Sequence, residues 1–408
     1  MPANLSEAWS AQLPGRITPP VIADGALYVG GKDSHAIYCL DAATGKQRWR
    51  YTAGGPADSP PTIAGGRVLF GCTDGWVYCL NAADGQLAWR FHAAPREKLI
   101  VSYGHLESAW PVHGSVLVKN NVAYVAAGRS SFLDGGIYLY GLDVATGKTL
   151  HQQHLDGPWE VPAKERHAHA MEGTSSDILV CSGDKLYMLQ YAFDLQLNKL
   201  DTPMLAESGV RKSKQRLLAT GGFLDDSGFD RLYWMYSDRW PGAQFAVRAA
   251  NQGQLLAFDD ATTYAVKYFN SVFSRSPHFT AGKEGYDLVA DDNTSESNDA
   301  TEERIRMFVR QKPPRWQQKI PVRVRAMLVA GEHLLLAGPP DVVPASDPFG
   351  SFEGRLGALL WVVSTKDGVK LAESKLHALP VFDGMAAANG QLYVATQDGR
   401  ILCLTERK

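Results

Sequence analysis

Short apolar runs separated by a polar turn recur along the chain. Ile37, Tyr38, Cys39 and Leu40 run into Asp41, and Thr44, Gly45 and Trp49 follow. Forty residues later, Val77, Tyr78, Cys79 and Leu80 run into Asn81, with Asp84, Gly85 and Trp89 behind them. A third copy places Leu142 before Asp143, then Thr146, Gly147 and His151; a weaker fourth has Val363, Ser364, Asp367, Gly368 and Ala372. Strand-length apolar runs bounded by turn residues predict β-structure. The Asp, Asn or Ser side chain bonds its own turn backbone, Gly supplies positive φ, and the pair of strands becomes a hairpin. The Trp that ends the second strand is sized to dock between neighbouring units.

A further strand pair precedes each hairpin: 18–25 leads into 26–30, and 59–66 into 67–71. One repeat is therefore four strands, and such units at this period predict a β-propeller. Eight can be placed, the first four at about 15–51, 56–92, 108–155 and 172–218. The fifth holds 232–236 and the hairpin 255–264; the sixth is about 270–320 with Trp316 outermost, and the seventh about 322–376. The eighth, 380–404, has three strands, and residues 5–13 with Trp9 are expected to complete it. The expected fold is all-β: an eight-bladed propeller of four-stranded antiparallel blades, closed by pairing the N-terminal strand with the C-terminal blade. Residues 1–408 are read as a single domain. A seven-bladed ring is the alternative if blades four and five share strands.

Composition narrows the partners. The formal net charge is −2, so nothing favours nucleic acid. Apolar runs are strand-length, far below the ~20 residues of a membrane helix. Residues 1–9 lack the charged start and apolar core of a signal peptide, leaving a cytoplasmic chain or one whose export signal is missing. The five cysteines are scattered; Cys39, Cys79 and Cys403 occupy equivalent strand positions and are expected to be core residues. The polar run 291–303 is read as a surface loop.

The pattern Asp/Asn-x-x-Thr/Asp-Gly-x-x-x-Trp resembles the repeat of pyrroloquinoline-quinone-type propellers. The dehydrogenases of that group resemble one another in an adjacent cysteine pair near the quinone and in a metal site of Glu, Asn and Asp. This sequence has no adjacent cysteines and no haem motif, so no cofactor is expected. Length and blade number are more similar to the non-enzymatic propeller lipoprotein of outer-membrane barrel assembly. Stretches 107–114, 128–136 and 222–227 are similar to planctomycete-type propellers of unassigned activity. The resemblance implies a fold and a bacterial periplasmic or extracellular setting.

Loops entering the inner strands, and those between second and third strands, gather on one face of a propeller and usually carry its sites. The entering loops bring Asp58 and Ser59, then His105, Glu107 and Trp110, then His169 and Glu172, then Asp225 and Asp226, then Arg323 and Arg325, then Asp383. The third blade adds Arg129, Ser130 and Asp134 between its second and third strands. Two readings stand side by side. In one, these residues line a polar ligand pocket with Trp110 as a stacking platform. In the other, carboxylates and arginines pair with each other and lock the loops, with Arg129 as an organiser. His167, His169 and Met171 share a strand face and suit a soft metal, but no metal is assigned. His105, Glu107 and His113 are candidate acid/base groups.

No nucleophile elbow, phosphate loop or zinc helix is present. The expected function is a non-catalytic, monomeric propeller that binds a protein partner or polar ligand, such as a glycan, through its loop face. A glycan lyase or hydrolase acting from the funnel is the alternative, and a quinone-dependent dehydrogenase a weaker one.

Overall fold

The turn of the repeat closes as its residues dictate. Asp41 Oδ1 accepts the amides of Ala43 (3.1 Å) and Thr44 (2.9 Å) and the Thr44 hydroxyl (2.8 Å). Gly45, at φ 71°, returns its amide to the Asp41 carbonyl at 2.8 Å. Asp143 repeats the arrangement with Thr146 at 2.8 and 2.7 Å. Satisfying the turn's amides locally fixes where one strand ends and the next begins.

The structure is a computed structural model that describes residues 2–102, 104–159, 173–189, 191–200, 216–219, 234–237, 250–268, 281–295, 310 and 312–406. The chain is all-β and folds as an eight-bladed β-propeller, with seven four-stranded antiparallel sheets and one of three strands among the described residues. It divides into two compact units: Leu13–Met204 with Gly222–Asp225, and Met1–Gln12 with Leu205–Gly221 and Asp226–Lys408.

The first unit holds four blades. Blade one is Val21–Ala23, Ala26–Gly31, Ala36–Asp41 and Gln47–Thr52. Blade two is Thr62–Ala64, Arg67–Gly71, Trp76–Asn81 and Leu87–His92. A two-stranded ribbon, Leu99–Ser102 with His105–Ser108, comes next in the chain. Blade three is Leu117–Lys119, Val122–Ala127, Ile137–Asp143 and Thr149–Leu155, and blade four Val180–Ser182, Lys185–Met188, Tyr191–Asp194 and Lys199–Leu200. Apolar clusters fill the layers between successive blades, Cys39 and Cys79 among them.

The repeat's Trp is a fastener. Trp49 donates its indole N–H to the Ala82 carbonyl of the next blade at 2.9 Å, and Trp89 to that of Val144 at 3.0 Å. Each indole lies flat on the next blade's turn glycine. A Cβ added to Gly85 would sit 2.6 Å from the Trp49 ring, and one added to Gly147 the same distance from Trp89. The glycine thus serves both the positive φ and the bare face on which the indole packs.

In the second unit, Arg216–Ala219, Trp234–Ser237 and Gln252–Gly253 form the three-stranded sheet of blade five. Leu255–Phe258, Thr262–Lys267, Tyr286–Asp292 and Trp316–Ile320 form blade six. Two expectations are corrected here. The last described strand of the fourth blade is Lys199–Leu200, and Arg216–Ala219 belongs to the fifth rather than closing the fourth. The hairpin 255–264 is the first strand pair of blade six, not the last pair of blade five. Its turn is why it misleads: Asp259 Oδ1 caps the Ala261 and Thr262 amides, both at 2.8 Å, just as the repeat's Asp does. An Asp-capped turn stabilises any hairpin, and only the docked Trp marks which pair it is. That marker is Trp316, whose N–H reaches the Thr365 carbonyl at 2.8 Å. Asp291, expected in a surface loop, is instead a buried strand residue paired with Arg310 at 2.6 Å. Residues 296–303 of that run lie outside the described residues.

Blade seven is Ala326–Ala330, His333–Gly338, Ala358–Ser364 and Lys370–Leu376. Blade eight takes Pro380–Ala388, Gln391–Thr396 and Arg400–Glu406, and Leu5–Gln12 pairs antiparallel with Arg400–Glu406 as its fourth strand. The expected closure is observed. Cys403 is buried in this sheet, and the Trp9 and Tyr393 rings lie 6.0 Å apart.

Candidate functional site

In the first unit, the expected loop residues are tied together by ion pairs. The Asp134 carboxylate takes Lys98 at 2.7 Å and Arg129 at 2.5 Å. Lys98, helped by Arg129 against the opposing cost of burial, holds its carboxyl below the usual range. Arg129 also accepts the Ser176 amide at its carbonyl (3.0 Å), and Ser131 N–H reaches the Thr174 carbonyl at 2.8 Å. Ser130 bridges to Ser175 and caps the Phe132 amide. Arg129 is therefore a loop organiser, stitching blade three's loop to the strand entry of blade four.

A second pair stands at the entries of blades two and three, where His113 Nδ1 meets Asp58 at 2.7 Å. Ser59 donates to the His113 carbonyl, and Ser115 to that of Pro60 at 3.3 Å. Burial works to raise the Asp58 pKa, but the His113 bond and charge, with Lys32 and Arg16, outweigh it and hold the carboxyl low. A third pair joins Arg16 to Asp33 at 2.7 Å, and Arg16 lowers the Asp33 pKa with a smaller contribution from exposed His105.

Two expected ligand groups face inward. Trp110 is 1% exposed and packs in the core between blades two and three, with Arg96 at 5.5 Å over its ring. Its stacking face is covered, which corrects its assignment as a ligand platform. The apolar neighbours Ala93, Val112 and Val116 recruit the indole as core. Glu107 is buried too, on the ribbon opposite Ile100. His167, His169, Met171, Glu172, Asp225 and Asp226 lie outside the described residues.

In the second unit, Arg325 and Asp383 come together. The Asp383 amide donates to the Arg325 carbonyl at 3.0 Å, and Arg325 Nε to the Pro380 carbonyl at 3.2 Å. Asp383 sits at φ 54°, a left-handed geometry that Asp tolerates. Its carboxyl opens to solvent yet lies deep among protein atoms, and that desolvation pushes its pKa up to about 7. A pKa raised above the unfolded ~3.9 means the native state holds more protons between those values. Stability contributed by this group is thus present at pH 4 and lost as pH rises toward 7. Asp383→Asn is expected to remove that loss: the variant gains in melting temperature over wild type at pH 8 and not at pH 4. Equal differences at both pH values would reject the assignment.

Sequence reasoning missed the ribbon Leu99–Ser102/His105–Ser108 and the long insertion 339–357 of blade seven. Their signal was there: the Gly45-to-Gly85 spacing of forty residues widens before Gly147, and blade seven's second and third strands are pushed apart. On the ribbon's outer face, Leu99, Val101 and Leu106 are 64, 75 and 66% exposed, with Val101 directly opposite Leu106. The inner face sends Ile100 into the core. The Lys98–Asp134 pair ties the start of the ribbon to the loop that carries exposed Leu133, and exposed Trp159 meets Phe132 edge-on at 5.7 Å.

Residues 3–158 match the model of a family described as outer membrane protein assembly factor BamB. No curated protein matches the chain. Among solved structures, quinohemoprotein alcohol dehydrogenase from Comamonas testosteroni is 14% identical, covers 100% of this chain and 77% of its own, and has a TM-score of 0.58. A quinohemoprotein alcohol dehydrogenase from Pseudomonas putida HK5 is 14% identical over 99% and 77%, with a TM-score of 0.57. BamB from Moraxella catarrhalis is 13% identical over 99% and 98%, with a TM-score of 0.41. At these identities the likeness to the dehydrogenases is one of fold. The sequence has no adjacent cysteine pair. The five cysteines are separate free thiols. Among the described residues, no three His, Cys, Asp or Glu side chains are grouped to hold a metal.

Proposed function

We propose that this propeller, built from quinoprotein-like repeats, is a non-catalytic binding protein that holds a protein partner on its loop face. One observation carries the reading: three large aliphatic side chains stand on the outer face of a ribbon that interrupts the repeat. Exposed aliphatics grouped in this way mark interaction surfaces more often than isolated ones do. Leu133 and Trp159 of the same unit are exposed too, and an exposed Trp is a frequent interface anchor. The loop carboxylates contribute differently. Bound in pairs with Arg16, His113, Lys98 and Arg129, they give the surface a rigid base. The covered face of Trp110 counts against the glycan alternative.

In this reading residues 1–408 act as one domain. The matched family's description as an outer membrane assembly factor supports a partner, and a location, in the bacterial envelope. No helix among the described residues is long and apolar enough to cross a membrane.

A photo-crosslinking side chain at Val101 in the source cell is expected to capture one discrete protein. The same probe at exposed Leu371, on blade seven's outer strand, is expected to capture none. Leu99→Lys with Leu106→Lys is expected to abolish capture while moving the melting temperature by only about 1–2 °C, since both side chains are already in solvent. Equal capture at the two sites, or capture that survives the lysines, rejects the proposal.

A further inference from the structure

We propose that the ribbon takes its partner by strand addition: an extended segment of the partner protein, with apolar residues two apart, pairs with the open edge of Leu99–Ser102. The proposal rests on the docking surface inferred above and adds which element docks there and through which atoms.

The base of the ribbon sets its hydrogen-bond phase. The Ala109 amide donates to the Lys98 carbonyl at 2.8 Å. Bonded and non-bonded pairs alternate along an antiparallel ladder, so Ile100 with Glu107 and Ser102 with His105 are the next bonded pairs. Leu99 and Val101, opposite Ser108 and Leu106, therefore turn their amides and carbonyls away from the other strand. The two edges then meet different fates. The Ser108 amide, also directed outward, donates to the Thr73 carbonyl in the loop of blade two at 2.8 Å. That bond seats the His105–Ser108 edge on the propeller. Among the described residues, no backbone hydrogen bond engages the outward groups of Leu99 or Val101.

This edge also lacks the guards that the other edges carry. Charged side chains, prolines and bulges keep exposed strand edges from pairing with other chains. Arg50, Arg90, Lys319, Lys375 and Glu7 stand on the outer strands of blades one, two, six, seven and eight. Leu99–Ser102 has neither charge nor proline, and its pairing with His105–Ser108 has no bulge.

The chemistry of the edge selects its occupant. It offers two amides and two carbonyls in a row, at the spacing of an extended chain. A helix has spent its backbone bonds along its own axis, and a lipid surface has no matching row of donors and acceptors. An extended peptide meets all four groups, as in other cases of recognition by strand addition. The side chains then set its pattern. Leu99 and Val101 stand on the outer face with Leu106, while Ile100 packs inward. Residues directly opposite one another across a strand pair share a face, so those facing Leu99 and Val101 lie on the apolar side. Apolar residues at those two positions cover Leu99 and Val101 from water.

A capped seven-residue peptide of alternating threonine and valine, with glutamate at one end and lysine at the other, serves as the probe. Titrated into the full chain and followed by NMR, it is expected to saturate with a Kd of about 1 mM. At about 5 mM peptide, hydrogen exchange at the Leu99 and Val101 amides is expected to slow about fivefold, and at Leu106 to stay the same. Methylating the valine amides of the peptide is expected to abolish binding, and methylating the threonine amides to leave it, since only one set faces the ribbon. Val101→Pro removes an amide that lies outside the ribbon's own ladder, so the melting temperature is expected to hold while peptide binding is lost. Val101→Thr keeps that amide and is expected to bind within about threefold of wild type.

The proposal is overturned if the peptide fails to saturate by about 5 mM, or if the two methylated peptides bind alike. A concentration-dependent dimer that Val101→Pro abolishes assigns the edge to a second copy of the chain and also overturns it. In the source cell, a photo-crosslinking side chain at Leu106, off the open edge, is expected to lose its captured protein when Val101→Pro is added. Capture that survives Val101→Pro leaves the docking surface standing and overturns strand addition alone. No capture in the wild type overturns the docking surface, and strand addition with it.

Discussion

Removal of residues 1–13 is expected to lower the melting temperature by about 10 °C or more. Seven residues of Leu5–Gln12 are in register with Arg400–Glu406, with a bulge between Glu7 and Trp9. The Gln12 side chain adds a bond to the Asp398 carbonyl at 2.8 Å. Leu5 packs on the cluster shared by blades seven and eight, and Trp9 covers Tyr393. Without this strand the backbone of Arg400–Glu406 becomes an open edge, which costs stability and invites aggregation. The unfolded chain loses only a short segment, so the whole effect falls on the native state. Thermal unfolding followed by circular dichroism checks it, and a truncated chain that melts with the full one would refute the closure.

Gly85→Ala is expected to cost about 3 kcal/mol, and Gly66→Ala only about 1 kcal/mol. Both glycines have φ of 71°, so both substitutions carry the same conformational penalty. They differ in surroundings. A Cβ at Gly66 meets nothing within 4 Å, whereas one at Gly85 meets the Trp49 ring at 2.6 Å. The added methyl must lift the indole, stretching its bond to Ala82 and opening the layer between blades one and two. Denaturant unfolding of both variants measures the difference. In a Trp49→Ala background the excess cost of Gly85→Ala is expected to vanish, because the clash has gone. If Gly85→Ala and Gly66→Ala cost the same in wild type, the fastener account fails.

These two results bear on how much was legible beforehand. The repeat could be read because each of its residues acts locally: Asp41 caps its own turn, Gly45 bends it, and the alternation of 37–40 sets strand faces. Where the docked Trp was absent, strand pairs could be recognised but not assigned to a blade. Asp259 shows why, since its capped turn is chemically the same in either position. The candidate site was legible only as a set of loops. Arg129 could be read from its loop either as a ligand group or as an organiser, and only its bonds to Asp134 and Ser176 supply the second role. Trp110 was misread because the same indole serves as platform or core, depending on what packs against it.

The sequence by itself determined the eight-bladed all-β fold, the N-terminal closing strand and the absence of an adjacent cysteine pair, because periodicity and local turn chemistry are written in neighbouring residues. Tertiary structure alone decided which polar groups are spent on one another. It paired Asp58 with His113 across 55 residues, and Lys98 with Asp134 across 36. It also turned Trp110 inward while leaving Val101 in water, and set Arg323 beneath Phe352. Burial and charge pairing are properties of distance in space, and no period along the chain encodes them.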